Sequence, residues 1–389
     1  MNILMIAYAL YPYDHRIARE AEALVKGGHH VSFLTLTEDG KPKSYVSEGV
    51  EVIELPIGKY RGKKQYAYLF VYLKFLLLAF WQCTTRFIRD KVDVVHVHNM
   101  PNFMVFAGVI PWLFGRKIVL DVHDTIPETY AGKLGRLPGF LRTLLFLEER
   151  ICCAMASRVI SVNDVQRDAL VARGIPREKI TVLLNVPDEG IFRFKDHFAH
   201  MNGNRQIFNL VYHGVIDRML GLDLMLDAVA RLREEIPALH FHVIGAGPYL
   251  DYLVEKSEKL GLTDRVHFSM RYYPIQELPD MLADMDLGVI PNRRNVATEL
   301  MLPVKLLEYV SLGLPAIAPR LKTIEHYFSA DMVTYFEPGD ADSMADAILA
   351  MHGNKNRRMD QMKKARTFLD RYGWAKHQLD LVRMYEGLS

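Results

Sequence analysis

Along the first half of the chain, short apolar runs alternate with segments whose apolar residues recur every three or four positions. NILMIAYA opens the series, and HVSFLTL, VEVIELP, VDVVHVH at 92–98, KIVLDVHD at 117–124 and RVISVN at 158–163 repeat it. VDVVHVH is a nearly continuous β-branched run, as expected of a strand covered on both faces of a parallel sheet. Between these runs the pattern turns helical; Ile17 to Lys26 predicts a helix stopped by Gly27-Gly28. The rhythm breaks at 186–206, VPDEGIFRFKDHFAHMNGNRQ, which reads as a linker, and restarts with FNLVYHG, LHFHVIGAG, RVHFSM, LGVIP, PAIAP and MVTYF.

Strands alternating with helices imply right-handed βαβ units and doubly wound sheets. The expected architecture is α/β, with two Rossmann-like halves at 1–186 and 187–373. The last segment, from Trp374, is amphipathic through Leu379, Leu381, Val382, Met384 and Tyr385, and is expected to pack back on the first half. Ligands of open parallel sheets bind beyond the carboxyl ends of the strands, so two such edges would face a central cleft.

Composition narrows the field. A chain of 389 residues is long for one core, in keeping with two domains. Its 48 basic against 46 acidic residues give +2, which argues against a dedicated nucleic-acid binder. Three cysteines, Cys83, Cys152 and Cys153, make no disulfide framework and no zinc spacing, and suit a reduced, cytoplasmic protein. MNILMIAYAL has no basic region before its apolar run and reads as a first strand rather than a signal peptide. Residues 66–81, YAYLFVYLKFLLLAFW, are apolar apart from Lys74 and follow Lys59, Arg61, Lys63 and Lys64. Three readings stand: a buried or half-buried helix of the first half, a basic, aromatic helix resting on an anionic membrane, or a spanning helix, for which the run is short and carries a charge.

The chemistry concentrates in ELMLPVKLLEYVSLGLP, Glu299 to Pro315. Pro303 suits the first turn of a helix, and Gly313 with Pro315 stops it. The amino end of such a helix seats a diphosphate, with a positive dipole end and free N–H groups. Lys305 and Glu308 share one face of it. That pair is either a plain surface ion pair or a cation for phosphate beside a carboxylate for a ribose diol. His96 and His98 share a strand face, but no third ligand is spaced nearby and no metal site is expected.

LPVKLLEYVSLGLPAIAP resembles the P-x-K-x-x-E-Y…G-x-P signature of glycosyltransferase family 4, the retaining enzymes of the GT-B fold. DHRIAREAEALVKGGHHV, VDVVHVHNMP, LDVHDTIPE, RVISVND, LLNVPDEGIF, YHGVIDRMLGLDLMLDAVARL, HVIGAGP and PGDADSMADAI resemble the family's other blocks in the same order. The resemblance implies an acceptor domain followed by a domain for a nucleotide diphosphate sugar, with transfer to a saccharide or lipid-linked saccharide and no cofactor or metal. It implies that Glu308 grips the ribose hydroxyls, that Arg218 faces the diphosphate beside Gly214 and Gly221, and that His123 bonds the transferred sugar. Lys305 adds positive charge at the leaving group.

Two departures qualify it. The glutamate usual eight places before the ribose-binding one is here Leu300, with Glu299 one place off; Glu299, or amides near Leu302 and Val304, are expected to hold the donor sugar. The usual lysine before the diphosphate-loop glycine is Leu220. In the altered first loop, ALYPYDHR, acceptor contacts are assigned to Asp14 and Arg16, while Arg293 and Arg294 read as a basic loop at the cleft edge. Other readings are a sugar-nucleotide epimerase or phosphorylase on the same scaffold, or a catalytically weak membrane-surface scaffold. A nicotinamide-dependent dehydrogenase is also conceivable, although HVIGAGPYL has Leu250 where the fingerprint needs a third glycine.

Overall fold

The computed structural model describes the chain apart from Arg61, Lys63, Lys64, Arg136, residues 195–206 and Ser389. Part of the expected linker therefore lies outside the described residues. The chain divides into two units, Met1–Asn185 with Ala375–Ser389, and Val186–Trp374.

The first unit holds β1 (Asn2–Ile6), β2 (His30–Thr37), β3 (Ser44–Ser47), β4 (Val50–Gly58), β5 (Val94–His98), β6 (Lys117–Val122), β7 (Arg158–Ser161) and β8 (Ile180–Val182). They form one sheet in the order β3-β4-β2-β1-β5-β6-β7-β8. Every pairing is parallel except β3 with β4. That exception was not foreseen in the apolar pattern. It arises because Glu48 and Gly49 both take positive φ, 48° and 82°, in a two-residue loop that turns the chain straight back. The central strands are buried on both faces, as the β-branched runs require; Val95 and Val97 are fully buried.

The second unit holds β9 (Phe208–His213), β10 (Leu239–Ile244), β11 (Val266–Phe268), β12 (Leu287–Val289), β13 (Ala316–Pro319) and β14 (Thr334–Phe336). They form a wholly parallel sheet in the order β11-β10-β9-β12-β13-β14. Strand order reverses beside β1 in one sheet and beside β9 in the other. Those are the switch points at whose carboxyl ends doubly wound folds bind ligands.

Two helices bear on function. Gln65–Asp90 buries Phe75, Ala79 and Cys83 against the first sheet and turns Phe70, Leu77 and Trp81 to solvent. Trp374–Glu386 leaves the second unit and lies on the first, with Leu381 and Tyr385 fully buried and the Tyr385 hydroxyl 2.7 Å from His96 Nδ1.

Candidate functional site

In the second unit the site grows from the end of β9. The Tyr212 hydroxyl donates to the Val215 carbonyl at 2.5 Å, folding the loop that begins at Gly214 back on the strand. Gly245 has a φ of +148°, and a Cβ there would collide with the Gly214 carbonyl, so the loops after β9 and β10 meet backbone to backbone.

Against this edge lies the helix Val304–Leu312, entered through Pro303 at φ −65° and closed by Gly313 at φ 78°. Its first N–H groups have no intrahelical acceptor, and Leu302 and Val304 flank that end, both half-buried. Lys305 turns back onto the β9 edge: its Nζ is 4.8 Å from the centre of the Tyr212 ring, and its Cε would be 3.5 Å from a Cβ on Gly214. Glu308 is buried, with Oε2 3.2 Å from His213 Nε2.

These three groups perturb one another. Burial pushes the Glu308 carboxyl up to about 7, with Lys305 opposing the rise. Burial pushes the Lys305 amine down to about 8 against the pull of Glu308. Burial and then the Lys305 charge push His213 down to about 3, so it is neutral at pH 7. A carboxyl poised near neutrality beside a desolvated amine is a set of groups waiting for a polar partner.

Arg218 follows on the same loop and is exposed, opening the short turn Arg218–Leu220 that Asp217 caps by accepting from the Met219 N–H at 3.0 Å. It lines a cavity of about 400 Å³ with Asp223, Tyr249, Tyr252 and Arg293. Arg293 Nη2 donates to Asp223 at 2.5 Å, so this arginine belongs to a built pocket rather than to a loose basic loop. Leu220, where the resemblance expects a lysine, is buried.

Glu299 departs from the expected sugar contact. One carboxylate oxygen accepts from the Lys322 N–H at 2.6 Å, and the other is 3.0 Å from Arg294 Nε. Both oxygens are thereby committed to capping the helix Lys322–Tyr327 and to an ion pair.

In the first unit, His123 follows β6 with its side chain one-fifth exposed. Its backbone N–H donates to Asn99 Oδ1 at 2.8 Å. Its Nε2 is 3.0 Å from Asp121 Oδ2 and 3.1 Å from His98 Nδ1. Arg16 was expected to reach an acceptor, but it is buried: Nη2 donates to both Asp121 oxygens at 2.7 and 2.9 Å, and Nε to Glu20 at 3.0 Å. A guanidinium so enclosed orders its neighbours instead of meeting a ligand. Asp14 caps the helix His15–Lys26, accepting from the Ile17 N–H at 3.4 Å. Burial works to raise the Asp121 carboxyl, but Arg16 and the neighbouring histidines hold it well below the usual range.

Ligand atoms of Glu20, His96, His98 and Asp121 lie within 4.8 Å of one another, close enough in principle for a metal. Arg16 already pairs both carboxylates, however, so the cation these acids face is the guanidinium.

Sequence reasoning missed His213, Tyr212, Asn99 and Asp121 as site members. Two signals were available: His213 is the last residue of a strand before a glycine, and Asp121 stands two before His123, on the same strand face.

Residues 13–185 match the Glycosyl transferase 4-like domain family, and residues 208–354 match Glycosyl transferases group 1. The chain is 22% identical over 369 residues to a phosphatidylinositol N-acetylglucosaminyltransferase chain of Arabidopsis thaliana, covering 90% of this chain and 73% of that one. Among solved structures, sucrose-phosphate synthase from Thermosynechococcus elongatus superposes with a TM-score of 0.81 at 17% identity, covering 100% and 99% of the two chains. Anabaena Alr3699/HepE in complex with UDP superposes at 0.70 with 15% identity, covering 100% of both. With both halves matched in order and the fold shared from end to end, this chain belongs to the group 1 (family 4) glycosyltransferases, enzymes of the GT-B fold.

Proposed function

We propose that the chain is a retaining, metal-independent glycosyltransferase. It moves a sugar from a nucleotide diphosphate donor to a saccharide or lipid-linked saccharide in cell-surface polysaccharide assembly. The observation that carries this is the group formed by buried His213 and Glu308 and half-buried Lys305 at the amino end of the Val304–Leu312 helix. The ionised Glu308 accepts two hydrogen bonds from a ribose diol. Lys305, the helix dipole and Arg218 take the diphosphate, with Gly214 and the backbone at Leu302 and Val304 shaping its seat. As the glycosidic bond loosens, negative charge grows on the departing phosphate, where these cations stabilise it most. His123 bonds the transferred sugar, and the first unit holds the acceptor. The UDP bound by the Anabaena protein and the phosphatidylinositol in the name of the Arabidopsis relative support this choice of partners.

A peripheral membrane contact, on the cytoplasmic face, fits the first unit's surface. Phe70, Leu77, Trp81, Trp112, Phe114 and Phe140 are exposed large apolar side chains on three helical segments of that unit. Ala67–Asp90 is long and apolar enough to cross a membrane, but its buried face belongs to the core, which favours lying on the lipid. Lys59 is exposed beside it; Arg61, Lys63 and Lys64 lie outside the described residues.

A thermal-shift panel of nucleotide sugars tests the donor reading. The true donor at a hundred times its Kd adds about 2.7 kcal/mol of apparent stability. A panel of uridine, guanosine and adenosine diphosphate sugars with no shift at all sinks the assignment.

A further inference from the structure

We infer that Asp121 is a positioning residue that fixes the tautomer of His123, so that the ring meets the transferred sugar through Nδ1 as a hydrogen-bond acceptor. This deepens the reading above and rests on its placement of His123 at the sugar.

The geometry is a triangle around one carboxylate oxygen. Asp121 Oδ2 is 3.0 Å from His123 Nε2 and 3.1 Å from His98 Nδ1, and these two nitrogens are 3.1 Å apart. A carboxylate oxygen only accepts, so both ring nitrogens satisfy it as N–H donors. His123 then carries its proton on Nε2 and keeps a lone pair on Nδ1. His98 carries its proton on Nδ1, and its buried Nε2, which has no partner among the described residues, is left as a bare lone pair rather than as an unmade donor.

The carboxylate is itself immobilised. Arg16 grips both of its oxygens and is held in turn by Glu20. On the other side His98 stacks on His96 at 4.3 Å between ring centres, and His96 Nδ1 meets the Tyr385 hydroxyl. The ring face of His123 is thus set by residues from four separate segments, none of them exposed. An acceptor nitrogen aimed at a sugar hydroxyl orients the ring without contributing positive charge near the anomeric centre. Cation stabilisation at the leaving group is left to Arg218 and Lys305.

The test uses the full chain labelled with ¹⁵N-histidine. Long-range ¹H–¹⁵N spectra separate protonated from bare ring nitrogens, and His123→Gln assigns the His123 signals. The wild type is expected to show His123 protonated at Nε2 and bare at Nδ1. In Asp121→Asn that preference is lost, and kcat is expected to fall about 10- to 100-fold, the usual effect of removing an orienting outer partner, while the donor KM moves little. A wild-type spectrum with the proton on Nδ1 overturns the inference, and that measurement needs no variant should Asp121→Asn fail to fold. An unchanged tautomer in the variant overturns it as well. A tautomer that switches while turnover stays constant instead removes His123 from the reaction, and with it the placement on which the inference rests.

Discussion

Replacing Glu308 by Gln tests stability and donor binding together. The carboxyl is buried and its pKa is raised from 4.5 to about 7, burial acting against the attraction of Lys305. At about 1.4 kcal/mol per unit, that rise corresponds to about 3 kcal/mol. The folded protein binds this proton more tightly than the unfolded chain does. The associated stability is therefore fully present below 4.5 and is lost as pH rises through about 7. A glutamine has no such proton, so the stability of the variant relative to wild type is expected to improve by about 3 kcal/mol between about pH 4.5 and about pH 8. Lys305 runs the other way, its amine lowered from 10.5 to about 8, so its stability is lost as pH falls through that window. Its contribution near neutrality is common to both proteins apart from the loss of its carboxylate partner. Urea unfolding midpoints from about pH 5 to about pH 9 read the difference. The same variant is expected to bind the donor nucleotide about 10- to 10²-fold more weakly in calorimetry, since one hydrogen bond to a charged group, worth about 1.5–3 kcal/mol, is lost when one carboxylate oxygen becomes an amide NH₂, while the remaining oxygen still accepts. Parallel pH profiles would show that the carboxyl titrates normally. Undiminished nucleotide binding would remove Glu308 from the ribose.

Arg218→Ala is expected to lower kcat by about 10²- to 10³-fold in a radiolabelled transfer assay with no change in thermal midpoint, because it removes one cation facing the leaving phosphate; a wild-type rate discards its role. Transfer is expected to proceed undiminished in excess EDTA, and loss of activity restored by a divalent ion contradicts the metal-free chemistry. Phe70→Ser, Trp81→Ser and Phe140→Ser are each expected to weaken sedimentation with anionic vesicles about 10- to 100-fold, from about 1.5–3 kcal/mol per large apolar side chain withdrawn from lipid; equal binding by the triple variant ends the membrane reading.

Most strands were legible because a strand buried on both faces leaves a short apolar, β-branched run such as VVHVH, although Ile180–Val182 was not among the runs read. Pro303 and Gly313 marked the ends of their helix because cap positions are decided by one residue's own φ preferences. Lys305 and Glu308 could be paired from sequence because helical spacing is local. The short antiparallel strand Ser44–Ser47 was less visible, since it rests on the left-handed turn at Glu48, a residue type that seldom takes one.

What a side chain does once the chain folds was a different matter. Arg16 is separated from Asp121 by 105 residues, and only the meeting of a helix with the β6 edge turns a surface-type arginine into a buried counter-ion. Glu299 reads as a free carboxylate until the helix Lys322–Tyr327 presents an N–H to it. His213 becomes part of the site because β9 ends where the Val304–Leu312 helix brings Glu308 to 3.2 Å. Backbone conformation and local periodicity depend on neighbours a few residues away, so the sequence by itself determined the parallel strands of the two sheets, without the antiparallel β3, and the helix that bears Lys305 and Glu308. Partners and proton affinities depend on who arrives from elsewhere in the chain and how much water is excluded. Only the tertiary structure therefore decided that Arg16 orders Asp121, that Glu299 is a cap, and that burial raises the Glu308 carboxyl toward neutral pH.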